Sequence, residues 1–580
     1  MKIAGSNSSS NSGSIEYSDG SEDYLLSVFR NFEKIDGYPI ELQKYIKDWP
    51  TLYNLSYLRT NILSSISELF RRDWRVLDCG AGTGALTLWL AKYFSHVDAV
   101  EGNPKRIQVL KERAKGYSNI RFFCGDITLM SLPHEYELIT LIGVLEYIPY
   151  FSKNKDKERV CIEFLKKLSR YLNNDGILVI AIENKLGLKY ICGCAEEHSA
   201  RIFDGLIDYP RGDSPITFSK NELENILQKS GFKKIKFYYV FPDYKLPICF
   251  IKESEKINQL NVYNWITDLF PDYFVQREFI IPDQLFLKTI CKSGLIGHFS
   301  NSFLILASKS SKVNLETEFL IRKFWNPHNT KPVFHHTIDL IEINGELKIR
   351  RKPLINQEKS FNLGVVKFKL EDCEYVRGES LIYDAFSALM KNDGYTTLKN
   401  LVMRLYEELI KNFGTGEVDD KGFPIVSGEA IDFTFWNIIK TPEEDLRFID
   451  RKWTFHKFLT SDFILFRNLF YLFQKFGPFI KEEKSSDFII PIIKIIHPQY
   501  DFGRFLENLK LEKDFQSCIS IHTIELADAE SKKKFFLMEI EKLRSDLALK
   551  DEEIRRMNEE IQRLSSELHS IKSSFTWRAL

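Results

Sequence analysis

Val76-Leu-Asp78-Cys-Gly80-Ala-Gly82-Thr-Gly84 is the stretch on which the reading of this chain turns. An apolar run ends in an acid, three glycines alternate with small residues, and a helical pattern follows. Glycines at such a junction let the backbone approach a ligand, and the N-terminus of the next helix offers unpaired N–H groups. With Ala85 the loop also satisfies the loose dinucleotide pattern G-x-G-x-x-G/A.

Around this loop, strand-like runs alternate with helical periods: Trp74–Cys79, Val97–Glu101, Ile120–Cys124, Leu138–Val144 and Gly176–Ile182, then Ile235–Val240 and Phe303–Ala307. That rhythm predicts an α/β fold on a largely parallel sheet. Glu101 ends the second strand, where a carboxylate can accept both hydroxyls of a ribose. Asp126, after Cys124-Gly125, ends the third, where its oxygen can accept an adenine amino group. Asp78, Glu101 and Asp126 thus fall on one sheet edge, the edge where open α/β sheets bind ligands. An ordinary NAD-binding unit gives no reason for Asp126 or for the Ile235–Ala307 region.

Over residues 55–309 the chain resembles the class I S-adenosylmethionine (SAM)-dependent methyltransferases, through the glycine loop, the two acids, Leu141-Ile-Gly-Val-Leu-Glu-Tyr147 and the Phe218–Phe232 helix with its Lys-Ser-Gly-Phe end. The resemblance implies a Rossmann-like seven-stranded sheet with a reversed final hairpin. It implies that Asp78, Gly80, Gly82 and Gly84 hold the methionine part of SAM, Glu101 its ribose and Asp126 its adenine. For the acceptor, His198 and Glu146 are the candidate bases, each able to act if it reaches hydrogen-bonding distance. The stretch Leu141–Pro247, with Ile-Glu-Asn-Lys-Leu-Gly-Leu-Lys-Tyr and Phe-Pro-Asp-Tyr-Lys-Leu-Pro, looks like methyltransferases of bacterial surface-polysaccharide machinery.

A second segment, 311–525, starts with shorter strands and turns helical from Ser380. Asp432-Phe-Thr-Phe-Trp-Asn437 precedes Asp450 of Phe448-Ile-Asp450 by thirteen residues. This resembles protein-kinase-like folds, in which the first Asp is the base and the Asn and second Asp hold metal against ATP phosphates. The resemblance casts Asp432 as a catalytic base and Asn437 and Asp450 as metal ligands of a Mg–ATP site. Cys373–Leu381 resembles the hinge between kinase lobes. Departures are visible: Ala430-Ile431 stands for His-Arg, Arg451-Lys452 for Phe-Gly, and no glycine-rich loop lies between Lys312 and Lys369. Lys348 is the candidate nucleotide lysine.

From Ile540 to Phe575 apolar residues recur mostly at spacings of three and four, broken once by Lys550, which predicts a coiled coil over 531–580. Forty such residues would make a rod of roughly 60 Å. Residues 1–20, mostly Ser, Asn and Gly, read as a disordered arm and 21–54 as a helical lead-in.

Methyltransferase, kinase-like domain and coiled coil in this order resemble the bifunctional enzymes that terminate O-antigen chains. The resemblance implies a glycan or lipid-linked saccharide acceptor, methylated on oxygen or on a terminal phosphate, coupled to phosphorylation. It also implies a glycosyltransferase partner and self-association through the coil, at the inner face of the membrane. The alternative is a scaffold with an inert kinase-like domain whose coil recruits glycosyltransferases. Ser574-Phe-Thr-Trp-Arg-Ala-Leu580 resembles a tail that often precedes glycosyltransferase domains, which leaves open a short form or a truncated chain.

Composition bounds these expectations. The 580 residues are 44% hydrophobic and 28% charged, near globular averages. Lys plus Arg number 80 and Asp plus Glu 80, so no net basic field favours nucleic acid. Nine scattered cysteines form no disulfide framework, and Cys192-Gly-Cys194 has no second pair at zinc-knuckle distance; the simplest compartment is a reducing cytoplasm. No run of 18 or more apolar residues predicts a transmembrane segment.

Overall fold

The computed structural model describes residues 17–152, 154–267, 269–270, 277, 279–355, 357–521, 550, 552 and 554–571. Eleven strands and one two-residue strand make a single mixed sheet. In chain order they are β1 (Arg75–Cys79), β2 (His96–Glu101), β3 (Ile120–Cys124), β4 (Tyr136–Ile142), β5 (Leu172–Glu183), β6 (Lys234–Phe241), β7 (Cys249–Lys252), β8 (Ser302–Ser308), β9 (Phe319–Trp325), β10 (His336–Ile343) and β11 (Glu346–Pro353), with Cys373–Glu374 at the edge.

The spatial order is β3-β2-β1-β4-β5-β8-β6-β7-β9-β10-β11. From β3 to β5 every pairing is parallel, and β8 runs antiparallel between β5 and β6. Six of the seven sequence-predicted strands match these to within two residues at each end, and β5 starts four residues before the expected Gly176. They form because nearly continuous apolar runs such as Leu138–Ile142 are buried on both faces. Crossover helices α1 (Thr87–Tyr93), α2 (Pro104–Arg113), α3 (Lys157–Tyr171) and α4 (Lys220–Lys229) cover those faces. Asn103 caps α2, and Ser219 with Glu222 forms a capping box on α4.

The expected boundary between 309 and 311 is not a boundary in the sheet. The chain folds β7 back on β6, and β9 pairs with β7 through Cys249↔Lys323, Phe250↔Arg322 and Ile251↔Ile321. The strands of the second segment therefore extend the first sheet rather than starting their own. An exposed β7 would leave a row of backbone groups unpaired, and β9 satisfies them. One apolar core correspondingly runs from Leu77 and Leu178 through Ile251 to Phe386 and Phe463. The segment between β7 and β8 reaches the hinge-like stretch: Asn261 Nδ2 donates to Gly378 O at 2.6 Å and Tyr263 Oη to Glu379 at 2.7 Å.

Beyond β11 come three three-stranded antiparallel sheets and the helices α5 (Ile382–Leu389), α6 (Gly394–Phe413), α7 (Ser461–Phe476) and α8 (Phe502–Ile519). Residues 554–571 are helical. The rest of the expected coiled coil lies mostly outside the described residues, as does the arm up to residue 16. Residues 17–20 correct the arm's other end: the Tyr17 ring meets Tyr147 edge-on at 5.4 Å and Arg106 lies over it at 4.8 Å. An aromatic side chain gives this polar segment the contact that its composition alone does not suggest. No helix among the described residues is long and apolar enough to cross a membrane.

Candidate active site

A cavity of about 710 Å³ opens at the C-terminal ends of β1, β2, β3 and β4. On one side it is lined by Asp78, Gly80 and Gly82 of the glycine turn, Glu101 at the end of β2 and Asp126 just after β3. Gly80, Gly82 and Gly84 have φ of 71°, 58° and 87°, the left-handed region that disfavours any side chain. A Cβ on Gly80 would stand 2.4 Å from Val144 Cγ2, and one on Gly84 2.4 Å from Leu110 Cδ1.

Asp78 lies beneath the loop. Its carboxylate accepts from Thr87 Oγ1 at 2.7 Å and Thr140 Oγ1 at 2.8 Å, tying the loop to α1 and β4. Burial raises its pKa against the pull of both hydroxyls. Glu101 accepts from the Gly82 N–H at 2.8 Å through Oε2 and from the Asn103 N–H at 2.9 Å through Oε1. Arg106, buried beside it, stays charged because Glu101 outweighs the cost of its burial. Asp126 Oδ1 accepts from the Thr128 N–H at 2.8 Å and its hydroxyl at 2.7 Å.

The opposite wall is made by Glu197, His198, Tyr147 and the Tyr244-Lys245 pair. Behind it Glu146 and Glu183 are both fully buried, and an ionised carboxylate is costly there unless paired. Lys245 ion-pairs with Glu183, and Lys189 pairs with Glu197 and, at 2.6 Å, with Asp243. Burial would raise Glu183 and Glu197, yet the lysines prevail and hold both down to about 2. Glu146 lacks a lysine of its own, and burial together with Glu183 pushes it up to about 7. Burial likewise takes Glu196 to about 8. His198 is raised despite burial, because Glu183 lies 3.7 Å from its Nε2. Its Nδ1 is 3.1 Å from Tyr147 Oη.

The structure thus gathers Asp78, Gly80, Gly82, Glu101, Asp126 and His198 at one cavity, with Glu146 directly behind, while Gly84 does not line it and packs against Leu110 and Arg113. Sequence reasoning missed Glu183, Lys189, Glu197, Asp243 and Lys245. Their signal was present in the stretches 182–190 and 241–247, where charged residues sit inside apolar surroundings next to strand ends. Tyr17, Trp49, Tyr53 and Arg59 also line the cavity and carried no motif.

The second constellation stands apart. Asp432 ends a short 3₁₀ turn, Gly428–Asp432, and burial pushes its carboxyl up to about 6. Asn437 Nδ2 donates to the Asp432 carbonyl at 3.1 Å. Asp450, with φ 57°, ion-pairs with Lys452 and, at 3.1 Å, with Arg351; these cations hold its pKa down despite burial. Two cations already neutralise the one carboxylate meant for metal, so the Asn437 and Asp450 set does not fit a magnesium ion carrying ATP. Lys348 does not serve as a nucleotide lysine either: it lies on the surface of β11, 3.4 Å from Glu346 and 3.6 Å from Glu374.

Comparison with known proteins agrees with the first constellation. Residues 76–176 match the family model described as a methyltransferase domain. Over 109 residues the chain is 30% identical to (S)-coclaurine N-methyltransferase of Thalictrum flavum subsp. glaucum, covering 18% of this chain and 27% of that enzyme. Over 207 residues it is 27% identical to the mitochondrial ubiquinone biosynthesis O-methyltransferase of Schizosaccharomyces pombe, covering 33% of this chain and 69% of that one. A solved SAM-dependent methyltransferase from Thermotoga maritima, described as a possible histamine N-methyltransferase, aligns at 14% identity over 49% of this chain and 100% of its own, with a TM-score of 0.27. The match spans about a quarter of the coclaurine enzyme's length.

The chain therefore carries a Rossmann-like methyltransferase domain built on a large mixed sheet. Within it the left-handed glycine loop and the two strand-end acids fit SAM: Gly80, Gly82, Glu101 and Asp126 line one cavity, and Val144 and Arg106 pack so closely on the glycines that only a bare backbone borders it there.

Proposed function

We propose that this protein is a SAM-dependent methyltransferase that methylates an oxygen of a bacterial cell-surface glycan or of its terminal phosphate. The observation that carries the reading is the cavity itself, which joins the cofactor loop to a wall of charged groups within one open cleft. When bound, SAM supplies an electrophilic methyl group on its sulfonium sulfur. Glu101, Asp126 and the loop amides hold its polar parts. Catalysis then rests mostly on orientation of the acceptor.

An amine acceptor brings its own lone pair, whereas a hydroxyl must lose a proton as the methyl arrives. Handling that proton falls to His198 in the wall, backed by Glu146 and Glu183 behind it, which favours an oxygen acceptor. Tyr17, Trp49, Tyr53 and Tyr147 line the cavity, and aromatic faces beside hydrogen-bonding groups suit a saccharide. The resemblance of residues 141–247 to polysaccharide methyltransferases points to the same acceptor class.

Phosphorylation by the second segment is not part of this reading, because the Asp450 ion pairs leave no fitting metal site. For that segment we favour the scaffolding role, with the 554–571 helix as the surface for self-association and for a glycosyltransferase partner. The proposed place of action is the cytoplasm, at the inner face of the membrane.

The test is calorimetric binding of SAM followed by transfer of labelled methyl to purified lipid-linked saccharide. Binding with transfer supports the whole reading. Binding without transfer to any saccharide overturns the acceptor class, and absence of binding overturns the enzyme.

A further inference from the structure

His198 in the cavity wall and Glu146 and Glu183 behind it share an unusual arrangement. Glu146 accepts from Tyr244 Oη at 3.4 Å through Oε1, and its Oε2 has no hydrogen-bond partner among the described residues. Glu183 is ion-paired with Lys245 through Oε1, and its Oε2 has no such partner. His198 meets Tyr147 Oη through Nδ1, and its Nε2 has none either. Each group is therefore oriented by an outer residue through one atom and left with a second, buried atom unsatisfied. One ligand atom from each of the three lies within 4.8 Å of the others.

A buried polar atom without a partner is costly, so three such side chains in one cluster call for an occupant. Metal ligands are held in just this way: the histidine's other nitrogen and the carboxylate's other oxygen are fixed by hydrogen bonds that set their direction. Charge points the same way: the carboxylates of Glu146, Glu183, Glu196, Glu197 and Asp243 outnumber the ammonium groups of Lys189 and Lys245 in this buried region.

We propose that Glu146, Glu183 and His198 form a binding site for a first-row divalent metal ion at the acceptor side of the cavity. One imidazole nitrogen and two carboxylate oxygens suit manganese, iron or zinc. In the neighbouring Glu183, Glu197 and Asp243 group every carboxylate is paired with Lys245 or Lys189, so that second cluster is a salt-bridge network, whereas in the first only Glu183 has a lysine and only through one oxygen. With three protein ligands, the ion keeps coordination positions for an acceptor oxygen. It would lower that oxygen's proton affinity, so that the hydroxyl reaches the methyl group as an alkoxide and its proton leaves to solvent.

The metal's existence is independent of the methyl-transfer reading; only its role rests on that reading. Full-length protein is stripped with a chelator, and Mn²⁺ and Zn²⁺ are titrated in separately. Free Mn²⁺ is followed by electron paramagnetic resonance and Zn²⁺ by calorimetry, both without turnover. The expected result is one equivalent bound, with affinity reduced at least thirtyfold in Glu146→Gln and in His198→Ala. Calorimetric binding of S-adenosylhomocysteine in the same preparations establishes that each variant is folded, and Glu146→Gln, nearly isosteric, serves if His198→Ala does not fold. Failure of the wild type to bind either ion overturns the proposal and assigns the balancing charge to protons on Glu146 and His198. Wild-type affinity in both variants overturns it as well.

Discussion

The backbone N–H of Gly82 donates to Glu101 Oε2 at 2.8 Å, so the acid that ends β2 holds the glycine loop that leaves β1. The same carboxylate accepts from Asn103, at the entry to α2. Glu101 thus shapes the loop before any cofactor arrives, and the ribose hydroxyls would meet a carboxylate already fixed in place. Hydrogen bonds to a charged group contribute about 1.5–3 kcal/mol. Glu101→Gln should weaken SAM binding by roughly 10- to 100-fold at 25 °C while leaving the fold intact, as calorimetry beside circular dichroism would show. Wild-type affinity in this variant would remove Glu101 from the cofactor site.

The loop glycines give a sharper structural contrast. At Gly80 a methyl group meets both a left-handed backbone and Val144 Cγ2 at 2.4 Å, whereas at Gly231 the backbone is equally left-handed but nothing lies within 4 Å. Gly231→Ala should cost only the conformational term, about 1–2 kcal/mol. Gly80→Ala adds overpacking of about 1–3 kcal/mol and should also abolish cofactor binding. Thermal melts of the two variants, read side by side, separate strain from overlap; equal losses would contradict the close approach at Val144.

These contacts show what the sequence could and could not reveal. Seven of the eight strands from Arg75 to Ser308 were legible because strands buried on both faces are written as nearly unbroken apolar runs, and Asp78, Glu101 and Asp126 because they fall at strand ends; short β7 was not. The β7–β9 pairing was not legible, since antiparallel joining of two segments leaves no motif. The lysine and carboxylate network was equally hidden: Glu183 and Lys245 are 62 positions apart and meet only because β5 and the turn after β6 end at the same edge. At Asp450 the spacing matched a metal-binding pattern, but Arg351, a remote residue on β11, altered its chemistry.

The continuous sheet makes the first 310 residues a poor domain on their own. Cys249, Phe250 and Ile251 of β7 are buried under β9, and cutting after residue 310 would expose them along an unpaired edge. A 1–310 fragment should be less soluble and melt lower than a 1–521 chain, with association visible by light scattering. A monomeric fragment of undiminished stability would restore the boundary that the sequence suggested.

Acid should loosen the same junction. His335 lies 3.1 Å from Tyr38 Oη, and His328 lies 2.6 Å from Ser56 Oγ, joining the second segment to the N-terminal lead-in. Burial pulls both imidazoles down to about 4, so in the folded protein they stay neutral where an unfolded chain would already be protonated. For a histidine with a depressed folded pKa, stability is complete above about pH 6.5 and is lost as pH falls from there towards 4. The loss should reach roughly 1–3 kcal/mol per histidine. Denaturant midpoints at pH 7 and pH 4.5 measure it, and His335→Asn should flatten the slope; an unchanged slope would assign the acid sensitivity elsewhere.

The helix at 554–571 carries the last expectation. Ile554, Met557, Ile561, Leu564, Leu568 and Ile571 follow spacings of three and four and are each 50–60% exposed. An isolated helix with such a seam is marginal in water, and a partner that buries it supplies most of its stability. A second copy of the same chain is the simplest partner, because one identical seam then covers the other. Sedimentation equilibrium should find the full-length protein as an oligomer. Paired Ile561→Asp and Leu564→Asp substitutions place a charge at adjacent core positions of every strand and should yield a monomer with unchanged SAM binding. A wild-type monomer at micromolar concentration would show that the seam is kept for a different protein.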